Sequence, residues 1–324
     1  MATSGLNYAI IGSGALGGYY GGRLAHAGAD VHFLLHSDYD HVVEHGLIVK
    51  STQHGDIALP NVNAYRDVGD MPRCDVVVVG LKSTSNALLP DLLPGVIKDD
   101  GVVLTLQNGL GPEDDAAAVV GAERVLGGLC FLCSNKVGPG HIEQQRFDHI
   151  KLGAFSQRGI TDRMRQISAD FEAGGVKAQC VDDLALARWQ KLVWNVPYNG
   201  LSAVLGVDCT VLMRHAEPLV RDLMMEVVAA TKAVIGADIA PAFVETMLDN
   251  TRNMDAYRPS MLIDRERGRP MEVEAIYGEP VRRAEAAGCD VPRVRVLYEQ
   301  LKVLNVAGGF DRGEGHGLNP WVSR

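Results

Sequence analysis

The chain lacks any apolar run that approaches the roughly 20 residues of a membrane span, and no basic segment precedes the first apolar stretch of its start, MATSGLNYAII. It also lacks an excess of positive charge, because 31 Lys and Arg stand against 40 Asp and Glu, for a formal net charge of -9. Proteins that bind nucleic-acid backbones or anionic membranes need the opposite balance. We therefore expect a cytoplasmic protein without a nucleic-acid or membrane partner, in which an anionic ligand requires a local basic pocket.

Cysteine is sparse, with six residues scattered through 324. Cys130 and Cys133 form a CxxC pair, but they lie in a strand-like apolar run without a second pair at metal-binding spacing. A disulfide framework, a redox centre and a zinc site are all disfavoured. We also find no HxxxH pattern on a convincing helix, and therefore expect no metal site.

Strands alternate with helical patterns through the first part of the chain. Continuous β-branched runs separated by helices are typical of a parallel sheet that is covered on both faces. A later segment, GHIEQQRFDHIKLGAF, is typical of a hairpin or an edge extension. We predict a doubly wound α/β domain over residues 1–182, with strands at NYAII, VHFLL, CDVVVVGLK, GVVLTLQN and KAQCV.

The character of the chain changes near residue 183. From there the apolar residues recur at the 3.6-residue helical period with almost no strand signal. We predict an all-helical second domain over residues 183–324, ending in a loose glycine-rich tail, GGFDRGEGHGLNPWVSR. The predicted helices cover residues 183–206, 216–235, 241–254, 271–287 and 293–305.

A glycine-rich loop, GSGALG, follows the first strand and opens a helix. In this context the first glycine permits a tight turn, the second lets a pyrophosphate approach the backbone, and the third lets helix and strand pack closely. The helix N-terminus supplies N–H groups for the phosphates. The alternative is a glycine-rich turn without a ligand. We predict dinucleotide binding by Gly12, Ser13, Gly14, Ala15, Leu16 and Gly17.

The end of the second strand bears on the choice of nicotinamide cofactor. An acidic residue there favours NAD through the ribose 2′-OH, whereas a basic residue accommodates the 2′-phosphate of NADP. This strand is followed by His36 and Ser37, which can hydrogen-bond a phosphate, and Asp38 comes slightly late. The pattern favours NADPH modestly and leaves NAD open, since solvent exposure is the more common fate of such a histidine.

Two polar residues end later strands, where ligands of open parallel sheets bind. Lys82 can hold a phosphate, a ribose or a substrate carboxylate, and Asn108 can orient the nicotinamide through its amide group. The alternatives are a surface lysine and a turn-forming Asn-Gly pair. We favour cofactor-side roles for both.

The segment RWQKLVWNVPYN sets Lys191, Asn195 and Asn199 at positions i, i+4 and i+8. On a helix these side chains share one stripe of roughly 12 Å, about the length of a small organic acid. Two asparagines with Pro197 between them oppose local helix preference, and such violations tend to mark function. A solvated polar stripe is the alternative.

The motifs GSGALG, GLK, LQNGLG, KLVWNVPYN and PSMLID...MEVEAIYG occur in this order, and the chain resembles the ketopantoate reductase family over almost its whole length. The specific elements are the Lys with Asn at +4 and +8, and Ser260 followed twelve residues later by Glu272. The resemblance implies a Rossmann domain joined to an all-helical domain similar to that of 6-phosphogluconate dehydrogenase. It also implies NADPH-dependent reduction of 2-dehydropantoate (ketopantoate) to pantoate in pantothenate biosynthesis.

The resemblance assigns roles to individual residues. It makes Lys191 the general acid that protonates the developing alkoxide and Glu272 a partner that orients the site, although an acid near a helix start also serves the helix dipole. Relatives usually carry Arg where this chain has His36. The remaining assignments are Asn195, Asn199 and Ser260 to the substrate and Lys82 and Asn108 to positions beside the nicotinamide.

Other functions stay open at this point. A paralogous reductase would use the same lysine on another 2-keto acid, and a non-catalytic sensor would need only the glycine loop. The presence of Lys191, Asn195 and Glu272 argues against the sensor. A homodimer through the helical domain is compatible with the sequence, which does not decide it.

Overall fold

The computed structural model describes residues 3–308, which form two compact units. Unit 1 comprises residues 3–107 and Pro112–Leu184, and unit 2 comprises Asn108–Gly111 and residues 185–308. Thus four residues that follow a strand of unit 1 belong to the helical unit. Apart from Gly308, the tail that we predict to be loose lies outside the described residues.

Unit 1 is built on a ten-stranded sheet in the order β4-β3-β9-β8-β7-β6-β1-β2-β5, with β10 beside β9. All neighbours from β8 to β5 are parallel, whereas β8 and β9 form a long antiparallel hairpin. The strands are β1 Asn7–Ile11, β2 Asp30–Leu34, β3 Leu47–Ser51, β4 Ile57–Leu59, β5 Asn63–Tyr65, β6 Cys74–Val79, β7 Ile97–Thr105, β8 Val125–Gly138, β9 His141–Ala154 and β10 Lys177–Cys180.

The strand order reverses at β1, which has β2 on one side and β6 on the other. In open α/β sheets, ligands bind outside the carboxyl ends of the strands at such a point. The carboxyl end of β1 carries the glycine loop, and the residues after β2 and β6 include His36 and Lys82. The topology therefore gathers these predicted cofactor residues at one edge of the sheet.

Both faces of the sheet are buried because successive strand residues point to opposite sides. In β1, Tyr8 and Ile10 belong to one apolar cluster with Phe171, and Ala9 and Ile11 belong to another with Leu92. This explains why the central strands read as continuous apolar runs rather than as alternating ones. The covering helices are α1 Ala15–His26, α2 Tyr39–His45, α3 Leu89–Val96, α4 Pro112–Val120 and α5 Asp162–Ala173.

The regular secondary structure in the described residues of unit 2 is entirely helical. Leu192, Val193 and Val196 of its first helix are buried in one large apolar core, so the stripe of Lys191 faces another direction. That helix continues through Pro197. The elements are α6 Leu184–Leu205, α7 Cys209–Ile235, α8 Pro241–Arg252, α9 Ser260–Glu266, a π-helical turn Glu274–Gly278, α10 Glu279–Ala286 and α11 Pro292–Ala307.

Within residues 3–308, no single helix is long and apolar enough to cross a bilayer. Only the pair α6 and α7 together has sufficient length and apolar character, and these two helices are bent by 112° relative to each other. The apolar residues of this pair include Val193, Val220 and Met224, which belong to the core of unit 2. Core burial accounts for their apolar composition.

The structure corrects several sequence expectations. Short strands β3, β4 and β5 and the short helix α9 escaped prediction, because elements of three to seven residues carry little periodicity. The helix predicted from residue 216 begins at Cys209, and the non-helical φ of -137° at Ala216 marks the break that the periodicity detected.

A second correction concerns histidine. His41 and His45 do form an HxxxH pair on a helix, α2, with ring centroids 4.7 Å apart. This helix has only seven residues and is too short and too polar to be predicted from the sequence. Within residues 3–308, however, no group of three or more His, Cys, Asp or Glu side chains is arranged to hold a metal ion.

Candidate active site

The three glycines of the loop between β1 and α1 have different surroundings. Gly12 has φ of 95°, and a Cβ there would lie 2.5 Å from the backbone nitrogen of Leu81. A Cβ on Gly17 would lie 2.2 Å from the carbonyl oxygen of Gly12. By contrast, apart from Gly14 and its adjoining chain, no atom of the described residues lies within 4 Å of the place that a Cβ on Gly14 would take. The fold of the loop requires the first and third glycines, whereas Gly14 leaves open space.

That open space adjoins the N-terminus of α1. In the described chain, no side chain caps this helix and its first turn carries no acidic residue, so the terminal N–H groups face outwards for an external acceptor. Such a terminus attracts phosphate through its N–H groups and its partial positive charge. Ser13 donates a hydrogen bond to the carbonyl of Leu34 at 3.4 Å and thereby joins the loop to the end of β2. Ala15 and Leu16, which complete the motif, are half-buried.

The residues that follow β2 include one carboxylate that is hydrogen-bonded within the fold. His36 and Ser37 are exposed, whereas Asp38 is 5% exposed and accepts hydrogen bonds from Lys136 Nζ at 2.6 Å and Gly140 N at 3.0 Å. Burial raises the pKa of Asp38, but Lys136, the Gly140 N–H and the Ser37 hydroxyl together lower it further, so the net shift is downwards. The carboxylate that could favour a ribose 2′-OH is thus bound within the fold.

Lys82 follows β6 in a segment that touches the glycine loop. The N–H of Gly80 donates to the carbonyl of Ile11 at 2.8 Å, and a Cβ on Gly80 would lie 2.8 Å from the carbonyl oxygen of Gly12. Lys82 itself is half-buried and begins a 3-10 helix, Ser83–Leu88. The close packing of Gly80 against Gly12 therefore anchors the chain to the loop that we predict to bind phosphate, two residues before Lys82.

In unit 2, three predicted site residues meet through one amide group. Lys191 Nζ donates to Asn108 Oδ1 at 2.9 Å, and Asn108 Nδ2 donates to Glu272 Oε2 at 3.3 Å. Glu272 is 8% exposed, while Lys191 and Asn108 are half-buried. An amide oxygen only accepts and an amide nitrogen only donates, so an ammonium on one side and a carboxylate on the other fix the orientation of Asn108. The three residues form a continuous hydrogen-bonded chain from Lys191 to Glu272.

The backbone of Asn108–Gly111 explains how Asn108 reaches this place. Gly109 has φ of 85°, and a Cβ on it would lie 2.2 Å from the carbonyl oxygen of Ala275. The N–H of Leu110 donates to that same carbonyl at 2.8 Å. Only glycine permits this close approach of two backbones, so the Asn-Gly pair is more than a turn. The sequence pattern LQNGLG predicts a polar residue at a strand end and a turn-forming Asn-Gly pair, but not this contact with Ala275.

The predicted substrate residues form a second contact on α6. Asn199 Oδ1 accepts from Ser260 Oγ at 3.3 Å and from the N–H of Met261 at 3.2 Å, so it satisfies a donor in the first turn of α9. Asn199 is 4% exposed and Asn195 is 7% exposed, whereas Ser260 is exposed. Asn199 therefore has a structural role, because its side chain joins α6 to the start of α9. The structure brings Asn199 and Ser260 together and leaves Asn195 between them and Lys191 on the helix.

Comparisons with known proteins show the family to which the chain belongs. The model of the family "Ketopantoate reductase PanE/ApbA" matches residues 8–157, and that of "Ketopantoate reductase PanE/ApbA C terminal" matches residues 183–305. The chain belongs to the ketopantoate reductase family. The predicted family and the predicted fold class, a Rossmann domain with an all-helical C-terminal domain, are thereby confirmed.

Individual members of the ketopantoate reductase family are similar over nearly the whole chain. The 2-dehydropantoate 2-reductase of Nostoc sp. (strain PCC 7120) is 53% identical over 304 residues, which cover 92% of this chain and 95% of that protein. The crystal structure of 2-dehydropantoate 2-reductase from Geobacter metallireducens has a TM-score of 0.89 at 42% identity, covering 92% and 99%. That of the enzyme from Methylococcus capsulatus has a TM-score of 0.87 at 30% identity, covering 95% and 99%.

Proposed function

We propose that this protein reduces 2-dehydropantoate to pantoate with NADPH, and that Lys191 supplies the proton. The hydrogen-bonded chain Lys191, Asn108 and Glu272 is the observation that carries the proposal. A reductase needs a proton donor held in one orientation, and this chain holds an ammonium group with a neutral amide and a buried carboxylate behind it. Relatives that share the family and up to 53% identity bear the name of this enzyme.

The chemistry of a keto acid explains the need for Lys191. A dinucleotide bound at the glycine loop would supply the hydride, and negative charge would then develop on the carbonyl oxygen of the keto acid. An ammonium group within hydrogen-bond reach stabilises that charge and then transfers a proton to it, which gives the hydroxyl of the product. Lysine has three N–H donors, and Asn108 accepts from one of them.

Neutral groups suit the remainder of the substrate contact. Asn195, Asn199 and Ser260 offer amide and hydroxyl donors along the helix stripe, and we propose that they hold the substrate's hydroxyl and carboxylate. Neutral donors bind a carboxylate without adding a positive charge that would compete with Lys191 for it. The buried Asn199 has its oxygen on Ser260 and Met261, which leaves its Nδ2 group as the part that would donate to substrate.

We propose that the loop of residues 12–17, together with Lys82 and His36, binds the dinucleotide, and that NADPH is preferred over NADH. The open space beside Gly14 at the N-terminus of α1 fits a pyrophosphate. Asp38, which comes too late for the usual acidic position, is bound to Lys136, while His36 and Ser37 lie exposed beside it. This arrangement favours a phosphate over a bare 2′-OH, because the exposed imidazole of His36 can donate to it.

The test is the initial rate of NADPH oxidation with ketopantoate, measured beside NADH and beside a panel of other 2-keto acids. Saturable turnover with ketopantoate that is more efficient with NADPH supports the proposal in full. Turnover of a different keto acid alone would retain the lysine chemistry and replace the substrate. Dinucleotide binding without turnover of any acid would favour a sensor and reject the reductase.

We also propose a homodimer as the assembly of this enzyme. The proposal rests on the apolar surface of α11, where Val296 and Val303 are 59% and 67% exposed and lie about two helical turns apart. Light scattering coupled to size-exclusion chromatography would give twice the mass of the chain for a dimer, and a mass equal to that of the 34.9 kDa chain would reject it.

A further inference from the structure

Tyr277 enters the hydrogen-bond ladder of α6 next to the predicted substrate residues. It lies in the π-helical turn, has no exposed surface, and donates its hydroxyl to the carbonyl of Val196 at 2.8 Å. A Cβ on Gly200 would lie only 2.6 Å from that hydroxyl oxygen. In a regular α-helix the N–H of Gly200 donates to the carbonyl of Val196. The tyrosine hydroxyl therefore stands at the bond between these two residues.

Pro197 alters the same stretch of helix. Because proline has no N–H, the carbonyl of Val193 loses its usual donor four residues later. The ladder is thus changed at two neighbouring places between residues 193 and 200. Prolines and inserted side chains are the common causes of helix bends. Asn199 lies within the second change and Lys191 lies before both, so this stretch bears on the spacing of the two side chains.

The π-helical turn also contacts the segment that carries Asn108. Its Ala275 carbonyl accepts from the N–H of Leu110, and Glu272, two residues before the turn, accepts from Asn108. One short segment of the chain, residues 272–277, is therefore bonded both to the Asn108 loop and to the middle of α6. Single π-turns occur frequently at functional sites, where they direct side chains that a regular helix would place elsewhere.

We propose that Tyr277 is a positioning residue of the reductase, whose hydroxyl sets the distance between Lys191 and Asn199 and thereby the affinity for the keto acid. This inference rests on the proposed function. Burial raises the pKa of Tyr277 well above its ordinary value, so its hydroxyl remains a neutral donor at any assay pH. The residue touches neither substrate nor cofactor in this scheme and acts only through α6.

Tyr277→Phe is the direct test, because it keeps the ring in the core and removes the hydroxyl. The N–H of Gly200 can then close on the carbonyl of Val196, which moves Asn199 towards its position in a regular helix. We expect KM for ketopantoate to rise about tenfold, the equivalent of one hydrogen bond, with kcat and KM for NADPH unchanged within a factor of about two. A purely structural loss would lower the melting temperature without this selective change in KM.

Tyr198→Phe is the matched control. Tyr198 is equally buried in the same helix, but its hydroxyl bonds to Met213 Sδ at 2.8 Å and not to the α6 ladder. We expect this variant to keep the wild-type KM. A folded Tyr277→Phe enzyme with wild-type KM, or an equal rise in KM for both variants, would overturn the inference.

Hydrogen exchange separates this inference from the proposed function. If the wild-type protein turns over no ketopantoate, the proposed function fails, and the exchange rate of the Gly200 amide still reports on the contact. A changed rate in Tyr277→Phe but not in Tyr198→Phe supports the role of Tyr277 in shaping α6. An unchanged rate rejects it, whatever the substrate.

Discussion

The side chain of Asn108 contacts two charged groups of the candidate site. Its oxygen faces the ammonium of Lys191 and its nitrogen faces the carboxylate of Glu272, so it transmits orientation between two charged groups while carrying no charge itself. A direct Lys–Glu ion pair would bind the ammonium more strongly and oppose the transfer of its proton. At the scale of single residues, the site therefore depends on the placement of a neutral amide between opposite charges.

Replacing Lys191 with Met tests the proton donor. Methionine keeps a long unbranched side chain and removes the ammonium group. We therefore expect kcat to fall by about 10²- to 10⁴-fold, the range for loss of a general acid. Affinity for NADPH, followed by its fluorescence, should stay unchanged. Lys232→Met, which removes a surface partner of Asp238 in the same unit, should keep full activity. Retained turnover in Lys191→Met would reject the lysine mechanism.

Asn108→Asp tests the neutrality of the bridging residue. A carboxylate at this position would pair with Lys191 and stand next to Glu272, so the ammonium would be bound more firmly and its pKa would rise. We expect kcat to fall by about tenfold or more, since proton transfer from a weaker acid is slower. The pH optimum should move upwards, because a lysine with a higher pKa stays protonated at higher pH. A wild-type pH profile would show that Asn108 does not act on Lys191.

At the scale of elements, the loop between β1 and α1 separates a fold requirement from a binding requirement. Gly12 and Gly17 are needed because backbone atoms occupy the space of any Cβ, whereas Gly14 faces open space. The same motif thus contains two structural glycines and one that only a ligand would need. In unit 2, the N-terminus of α7 likewise has a local requirement, because the side chain of Asp208 caps it.

A pair of alanine substitutions distinguishes these glycines. Gly14→Ala should leave the melting temperature of the apoprotein nearly unchanged and weaken dinucleotide binding at least about tenfold, because the added methyl group occupies the pyrophosphate position. Gly12→Ala should lower stability as well, since φ of 95° and a contact of 2.5 Å with Leu81 oppose a side chain. Equal affinity of Gly14→Ala and wild type in fluorescence titrations would argue against the predicted phosphate position.

The cap of α7 makes a prediction about pH. Asp208 Oδ1 accepts from the N–H groups of Thr210 and Val211 at 2.8 and 3.1 Å and from the Thr210 hydroxyl at 2.6 Å. The Thr210 hydroxyl, followed by these N–H groups, lowers the pKa of Asp208, against a smaller effect of burial. The stabilisation is therefore present above the unfolded value of about 3.9 and is lost as pH falls through the folded pKa.

Asp208→Ala should lower the free energy of unfolding by about 1 kcal/mol at neutral pH, the usual effect of a lost N-cap. Asp208→Asn keeps an acceptor and should cost less. Urea unfolding followed by circular dichroism measures both, and the difference between Asp208→Ala and wild type should shrink below about pH 4. A difference that is constant down to pH 3 would show that the charge of Asp208 contributes nothing.

At the scale of the whole molecule, the candidate site residues are divided between two units. Unit 1 presents a helix N-terminus and a glycine loop, and unit 2 presents the lysine, the amides and the buried acid. The segment Asn108–Gly111 follows a strand of unit 1 but belongs to unit 2, where Asn108 accepts a hydrogen bond from Lys191, the proposed proton donor. Dinucleotide binding can therefore be tested separately from turnover.

Thermal unfolding with each dinucleotide tests the cofactor preference. A ligand at 100 times its Kd stabilises the folded state by about 2.7 kcal/mol, so NADPH should raise the melting temperature by several degrees and NADH, at the same concentration, by less. Gly14→Ala should reduce both shifts, to about half for a tenfold loss of affinity. A larger shift with NADH would reverse the preference that we attribute to His36 and the bound Asp38.

The sequence by itself determined the architecture and supplied the candidate site residues. Buried parallel strands require continuous apolar runs, and helices require a 3.6-residue period, so the doubly wound sheet and the helical unit could be predicted from local patterns. The i, i+4, i+8 spacing of Lys191, Asn195 and Asn199 likewise fixed their common helical stripe. The short strands β3, β4 and β5 escaped because so few residues carry no distinguishable period.

Only the tertiary structure decided which of these residues meet. Asn108, read from the sequence as a neighbour of the nicotinamide, lies between Lys191 and Glu272, which are 83 and 164 positions away. Tyr277 reaches Val196 across 81 positions without any motif to announce it. Such contacts depend on how separate elements pack, and helical or strand periodicity records which face is buried but not which partner covers it.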